Sequence, residues 1–411
     1  MSQRIIHYIA SCAKWLVLSI LVGLIVGPIG ASFGLALRDA NAARAAYPWL
    51  LFLLPFAGLA IVWAYRSANA GTGSINEVFD AVREQRLLPL LAAPLIYAST
   101  VITHLCGGSA GREGAALLMG GVVAGEFGRL LRLDARGRRS ITLCGMSAGF
   151  AAVFGTPLAA TVFALEVMDV GSMQYSALLP CLISALLGEW IAVQMKLPPT
   201  AYELQATLPP EPMQLVKVLL FGVLIGFLSA VFCLLMHQVA HRFQHALPNP
   251  YVRVVVGAVL VIAATLLLRT GDYNGAGESV IEAALDGHAV PWAFVLKMLF
   301  TAVTLGCGFK GGEIVPIFFT GATFGCVVGP LLGIPAPLGA ALGMVALFCG
   351  CTNSPLASIL LSIELFGSDC LPLFALACAA SYLMSGYSSL YSRQKIIFSK
   401  LRTEFINRTA E

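Results

Sequence analysis

The sequence predicts an all-α polytopic membrane protein made of two homologous halves, and three observations carry that prediction. Apolar residues make up 58% of the 411-residue chain and charged residues only 11%, against roughly 25% charged in an ordinary soluble domain. Apolar runs long enough to span a bilayer, about 20 residues, recur from Lys14 onward. Two blocks of the first half return, in the same order, in the second. Residues 1–411 therefore read as one domain with an internal repeat.

Taken in order, Met1–Ala13 is a short basic lead-in to the first apolar run. The runs are Trp15–Leu37, Tyr47–Tyr65, Leu87–Leu105, Met173–Met195, Leu215–Met236, Val252–Leu268, Val290–Leu305 and Leu371–Met384, with shorter ones between them. The first is too long for a signal-peptide core and lacks a small-residue cleavage site, so it is expected to stay as a span. The polar stretch Arg38–Arg44 links the first two spans. The first half covers about 14–195, the second about 213–391, and 392–411 form a tail.

The net charge of +4 is less informative than its placement. Arg129, Arg132, Arg136, Arg138 and Arg139 crowd one loop, and Arg393, Lys395, Lys400, Arg402 and Arg408 fill the tail. The positive-inside rule puts both on the cytoplasmic side. Pro198–Pro212 carries Glu203 and Glu211 without a basic residue, which suits the opposite face. Eleven cysteines are scattered over apolar segments and are expected to be small core residues, giving neither a disulfide frame nor a metal site. No cofactor or nucleic-acid partner is implied. The six histidines do not group with a serine or an acid, and no His-Glu-x-x-His occurs, which argues against an intramembrane enzyme.

Charge appears inside the apolar chain at Gly107–Ala115, where Arg112 and Glu113 sit among glycines. An ionisable group at membrane depth costs roughly 2.5 to 3.5 kcal/mol on insertion scales and persists mainly where it faces a polar cavity or transport path. Glycines let the chain unwind and bring backbone N–H groups to an ion, ahead of a helix expected from about Ala115. Gly71-Thr72-Gly73-Ser74 precedes a second helical segment, Glu77–Arg86, in the same way. It reads either as an anion-accepting helix start or as a surface turn with a Ser or Asn cap.

The repeat locates the site. Cys106–Gly120 aligns without gaps on Cys307–Gly321, and Gly145–Met168 aligns on Gly343–Phe366, at offsets of 201 and 198. The matches include Gly111 with Gly312, Gly120 with Gly321, Gly145 with Gly343, Pro157 with Pro355, and Glu166 with Glu364. Glycine-broken segments in matching places of two halves point to a transport site between them, here where Gly111–Ala115 meets Gly311–Pro316. The alignment leaves open whether the halves are parallel or inverted.

These segments resemble the CLC family of anion channels and proton-coupled anion transporters. Gly111–Gly114 reads as that family's GREGP motif with Ala115 for Pro, Gly311–Pro316 as its GGxFxP, and Gly71-Thr72-Gly73 as its GSG(I)P. Ser388–Ser392 resembles the segment with the family's pore tyrosine. The resemblance implies a CLC-type inverted repeat, one pore per chain in a homodimer, and a multi-pass protein of a bacterial-type plasma membrane with both termini cytoplasmic. It also implies that Glu113 gates the anion and carries the proton. The anion would be surrounded by Gly71, Thr72, Gly73, Ser74, Gly111, Arg112, Gly114, Gly312, Ile314, Val315 and Tyr391.

Val167 stands where proton-coupled chloride members carry a second, inner glutamate. With Ala115 and the Gly311–Pro316 segment, this resembles the bacterial fluoride-transporting branch, so the expected cargo is fluoride exchanged for protons, with chloride transport as the alternative. Glu166 and Glu364 are expected to cap helices or pair locally, and Glu313 to pair near Lys310. Tyr391 would be read as an interfacial anchor without the family match.

Overall fold

The computed structural model describes residues 2–71, 73–84, 86, 88–204 and 206–410. Among them five helical stretches are long and apolar enough to cross a bilayer: Tyr8–Ala46, Pro48–Ala68, Tyr175–Gln194, Pro212–Ala246 and Pro250–Leu268. Helix α1 (Ser2–Ala46) absorbs both the lead-in and the Arg38–Arg44 link, because alanine-rich sequence there keeps helix propensity high without an apolar face. A 3₁₀ turn, Pro48–Leu53, then leads into α2 (Leu54–Ala68).

The remaining helices of the first half are α3 (Ile75–Glu84), α4 (Ala92–Leu105), α5 (Glu113–Leu130), α6 (Ala135–Phe154), α7 (Pro157–Glu166) and α8 (Leu178–Gln194). The second half holds α9 (Pro212–Ala246), α10 (Pro250–Leu268), α11 (Glu278–Leu285), α12 (Ala293–Cys307), α13 (Ile314–Val328), α14 (Ala336–Thr352), α15 (Pro355–Phe366) and α16 (Leu371–Met384). Several of these are apolar yet only 10–17 residues long, too short to cross alone. They are the pieces of broken spans that the glycines announce.

The glycines shared by the repeats fix how the halves are built. Where α5 crosses α6, a Cβ on Gly120 would lie 2.0 Å from the Gly145 carbonyl oxygen. Where α13 crosses α14, a Cβ on Gly321 would lie 2.3 Å from the Gly343 oxygen. Backbone rests on backbone at both crossings, the close approach that small residues permit between membrane helices.

The halves are then tied across their symmetry axis. Gly111 and Gly312, equivalent in the repeat, form an isolated antiparallel bridge, with Gly111 N–H donating to Gly312 O at 2.6 Å and Gly312 N–H to Gly111 O at 2.7 Å. Such an exchange between equivalent residues defines a local two-fold axis. Helices α5 and α13 both begin beside it, as the expected inverted repeat requires.

Glu166 and Glu364 do cap helices, but each caps the other half's. The Glu166 carboxylate accepts from Leu356 and Ala357 N–H (3.3 and 3.0 Å), and Glu364 accepts from Leu158 and Ala159 N–H (both 2.8 Å). Pro157 and Pro355 open the two capped helices, where their missing N–H costs nothing.

The all-α expectation needs one amendment. The tail forms strands β2 (Lys395–Phe398) and β3 (Phe405–Thr409), which pair with each other, and β2 pairs on its other side with β1 (Asp169–Val170), just after α7. Arg83 and Arg139 both pair with Asp169 there, at 3.0 and 2.7 Å. The buried Gln394 amide donates to Val167 O and Thr352 O, both at 2.7 Å. Lys400 donates to Asn353 Oδ1 and Tyr382 O, and burial pushes its ammonium down to about 7. All eleven cysteines are free, and ten are buried as expected, Cys12 being the exception.

Candidate functional site

Helix α5 starts at Glu113, two residues before the expected position. Glu113 is wholly buried and its carboxylate folds back on its own entry turn: Arg112 N–H donates to Oε2 and Arg112 Nε to Oε1, both at 3.3 Å. Arg112 also reaches Glu278 Oε1 through Nη1, at 3.2 Å. Behind this turn, buried His104 sets Nε2 3.4 Å from the Gly111 carbonyl.

Two cavities with different linings reach this point. One of about 250 Å³ is lined by Arg112, Glu113, Val315 and Phe318, together with Arg38 near the end of α1 and Tyr202 beyond α8. The other, of about 630 Å³, is lined by Gly71, Gly73, Ser74, Gly114, Lys310 and Glu313, with Arg66 at the far end of α2 and Ser392 in the tail. Between them stand the Gly111–Gly312 bridge and the turn carrying Glu113. The site is tight: a Cβ on Gly111 would meet Val315 N at 2.9 Å, and one on Gly312 would meet Gly114 N at 2.9 Å.

The other expected ligands fall out unevenly. Thr72 lies outside the described residues. Gly73 N–H is held by Glu77 Oε2 at 3.1 Å and Ser74 Oγ accepts from Asn76 N–H at 3.3 Å, so the α3 start is self-capped as well as cavity-lining. Gly71 and Gly73 take φ of 73° and 64°, a turn open to glycine without strain. Ile314 is fully buried. Tyr391 is buried with its ring edge against Phe79, centroids 5.6 Å apart, and is not among the residues lining either cavity. Glu313 sits with Oε2 3.7 Å from where a Gly114 Cβ would be, while Lys310 Nζ lies 4.8 Å from the Tyr65 ring centroid.

A family model described as voltage gated chloride channel matches residues 56–386. The chain belongs to the CLC family. A chloride/fluoride channel protein of Pseudomonas syringae pv. tomato is 37% identical over 94% of this chain and 88% of its own length. An H(+)/Cl(-) exchange transporter of Vibrio vulnificus is 27% identical over 85% and 81%. The crystal structure of a CLC-type fluoride/proton antiporter superposes with a TM-score of 0.90 at 32% identity, covering 93% of this chain and 98% of that one. A slow cyanobacterial Cl-/H+ antiporter, at 20% identity and a TM-score of 0.77, shares the fold.

Within the CLC frame, Glu278 and Tyr65 are among the cavity residues that escaped sequence reasoning. Glu278 opens α11 after Gly275 and Gly277, both with positive φ, and that glycine turn was its only sequence signal. Tyr65 lines the larger cavity, and its hydroxyl has no hydrogen-bond partner among the described residues. Nothing in its apolar helix marks it.

Proposed function

We propose that this CLC protein exports fluoride from a bacterial cell in exchange for protons, as a homodimer with one pore per chain and both termini cytoplasmic. The observation that carries the reading is the pair of cavities that stop on either side of Glu113 and the Gly111–Gly312 bridge. Likeness to a fluoride/proton antiporter along nearly the whole chain supports it.

Physical chemistry supplies the mechanism. The starts of α5 and α13 each offer unpaired N–H groups and about half a positive charge, which compensate an anion for lost water without a mobile cation. Gly71, Gly73, Ser74, Gly111, Arg112, Gly114, Gly312, Ile314 and Val315 would surround the anion, with Thr72 and Tyr391 supplying hydroxyls. Fluoride holds its water tightly, so its site must offer close donors. An ionised Glu113 is itself an anion and competes for the same N–H groups. Anion passage one way therefore requires Glu113 to change protonation, which carries a proton the other way.

Chloride exchange is the second reading, favoured by the apolar bulk of Ile314 and Val315 at the site. Purified protein in vesicles, loaded with equal fluoride and chloride under a proton gradient, separates the two. Fluoride release well above chloride release, with proton uptake, is expected; equal or faster chloride release would replace fluoride by chloride as the cargo.

A further inference from the structure

We infer that Glu278 is a positioning residue for the exchange, sharing the Arg112 guanidinium with Glu113 and so setting how readily Glu113 leaves its carboxylate form. The inference rests on the reading of Glu113 as proton carrier. Arg112 uses different nitrogens for the two acids, Nε to Glu113 at 3.3 Å and Nη1 to Glu278 at 3.2 Å, so both contacts stand at once. One positive charge faces two negative ones. Glu113 is fully buried, while the Glu278 side chain is 46% exposed, which puts the second acid at the watered end of the same cavity.

The turn that carries Glu278 is stapled to the turn that carries Glu113. Asn274 Nδ2 donates to Gly107 O at 2.8 Å, and Gly275 N–H donates to Gly108 O at 3.0 Å. Lys297, wholly buried, donates to Gly275 O at 2.7 Å and Tyr273 O at 3.2 Å from behind. A second-half acid is thus held in fixed relation to the first-half gate, which a solvated surface glutamate would not require. The other charged or titratable groups on this cavity are Arg38 from α1, Tyr202 from the loop after α8 and Glu282 one turn along α11.

Neutralising Glu278 leaves Arg112 wholly to Glu113 and removes a like charge from its surroundings. Both changes hold Glu113 as a carboxylate, so exchange needs more acid. In vesicles with E278Q, the pH–rate profile of proton-coupled halide exchange, measured at equal pH on both sides, should move about half a unit toward acid, the scale of one partly exposed ion pair. Glu278→Asp should recover most of that shift, and E282Q, which lacks the Arg112 contact, should stay near wild type. An unchanged profile in folded E278Q would overturn the inference, as would an equal shift in E282Q, which would mean a general vestibule field. If wild-type protein moves halide without protons, the antiport reading fails by itself; the same profile read on halide flux alone then decides Glu278, with a shift supporting its hold on Arg112 and no shift overturning it.

Discussion

The two halves share a scaffold and differ in chemistry. Each places glycine against glycine at its main helix crossing, each lends a carboxylate to cap the other's short helix, and each gives one glycine to the central bridge. At the helix start beside that bridge the likeness ends. The first half has Arg112-Glu113 where the second has Glu313-Ile314. Symmetry was retained where backbones touch and abandoned where an ion would pass. The second half does bring a carboxylate, Glu313, but one residue earlier than the equivalent of Glu113, so the two acids line different cavities and do not meet at one point, where burial would penalise two like charges.

The sharpest break of this comparison is at Glu113. Glu113→Gln keeps the shape and removes the charge, and anion-driven proton movement in vesicles should fall by about a hundredfold or more, whereas Ile314→Leu at the equivalent position should leave proton coupling in place. Intact proton movement in folded E113Q would take Glu113 out of the mechanism. Next come the crossings. Gly120→Ala and Gly321→Ala each force a Cβ onto a carbonyl oxygen, and each should lower stability by about 3 kcal/mol or more, read as lost monodisperse protein in detergent. A tolerated substitution in one half alone would show that the scaffold is less symmetric than its geometry.

The smallest effect sharpens the comparison instead. Glu166→Gln and Glu364→Gln each weaken two N–H contacts to a helix start, at a cost of about 1 to 3 kcal/mol. Glu166 is the more buried, so its variant should have the lower thermal midpoint in detergent. A reversed order would mean that exposure does not set the strength of these caps.

Much of this was legible in the residues. Composition and apolar runs gave the five long membrane helices, because bilayer thickness imposes a length that needs no tertiary context, but the runs Leu87–Leu105, Val290–Leu305 and Leu371–Met384 hold helices too short to cross alone. The repeat gave the paired glycine breaks, and Glu113 stood out because charge at membrane depth demands a reason. What could not be read depended on partners distant in sequence. Glu166 finds Leu356 and Ala357 some 190 residues away, β2 pairs with the distant two-residue β1 on one side and with β3 on the other, and Glu278 matters through Arg112. The helical continuity of Arg38–Arg44 was hidden for the opposite reason, since local propensity there outweighs polarity.

The tail strands bear on how the chain is made. Val167 and Thr352 belong to opposite halves, and both of their carbonyls are satisfied by the single Gln394 amide. Gln394 follows α16, so during synthesis the residues of both halves are made before this contact can close. Without the tail segment β1 has no strand beside it and Val167 O loses the Gln394 amide, while Thr352 O keeps only the Ser354 hydroxyl at 3.2 Å. The closure of the two halves at this end thus depends on a segment made after α16, and a chain cut before Gln394 would lack the side chain that holds both carbonyls.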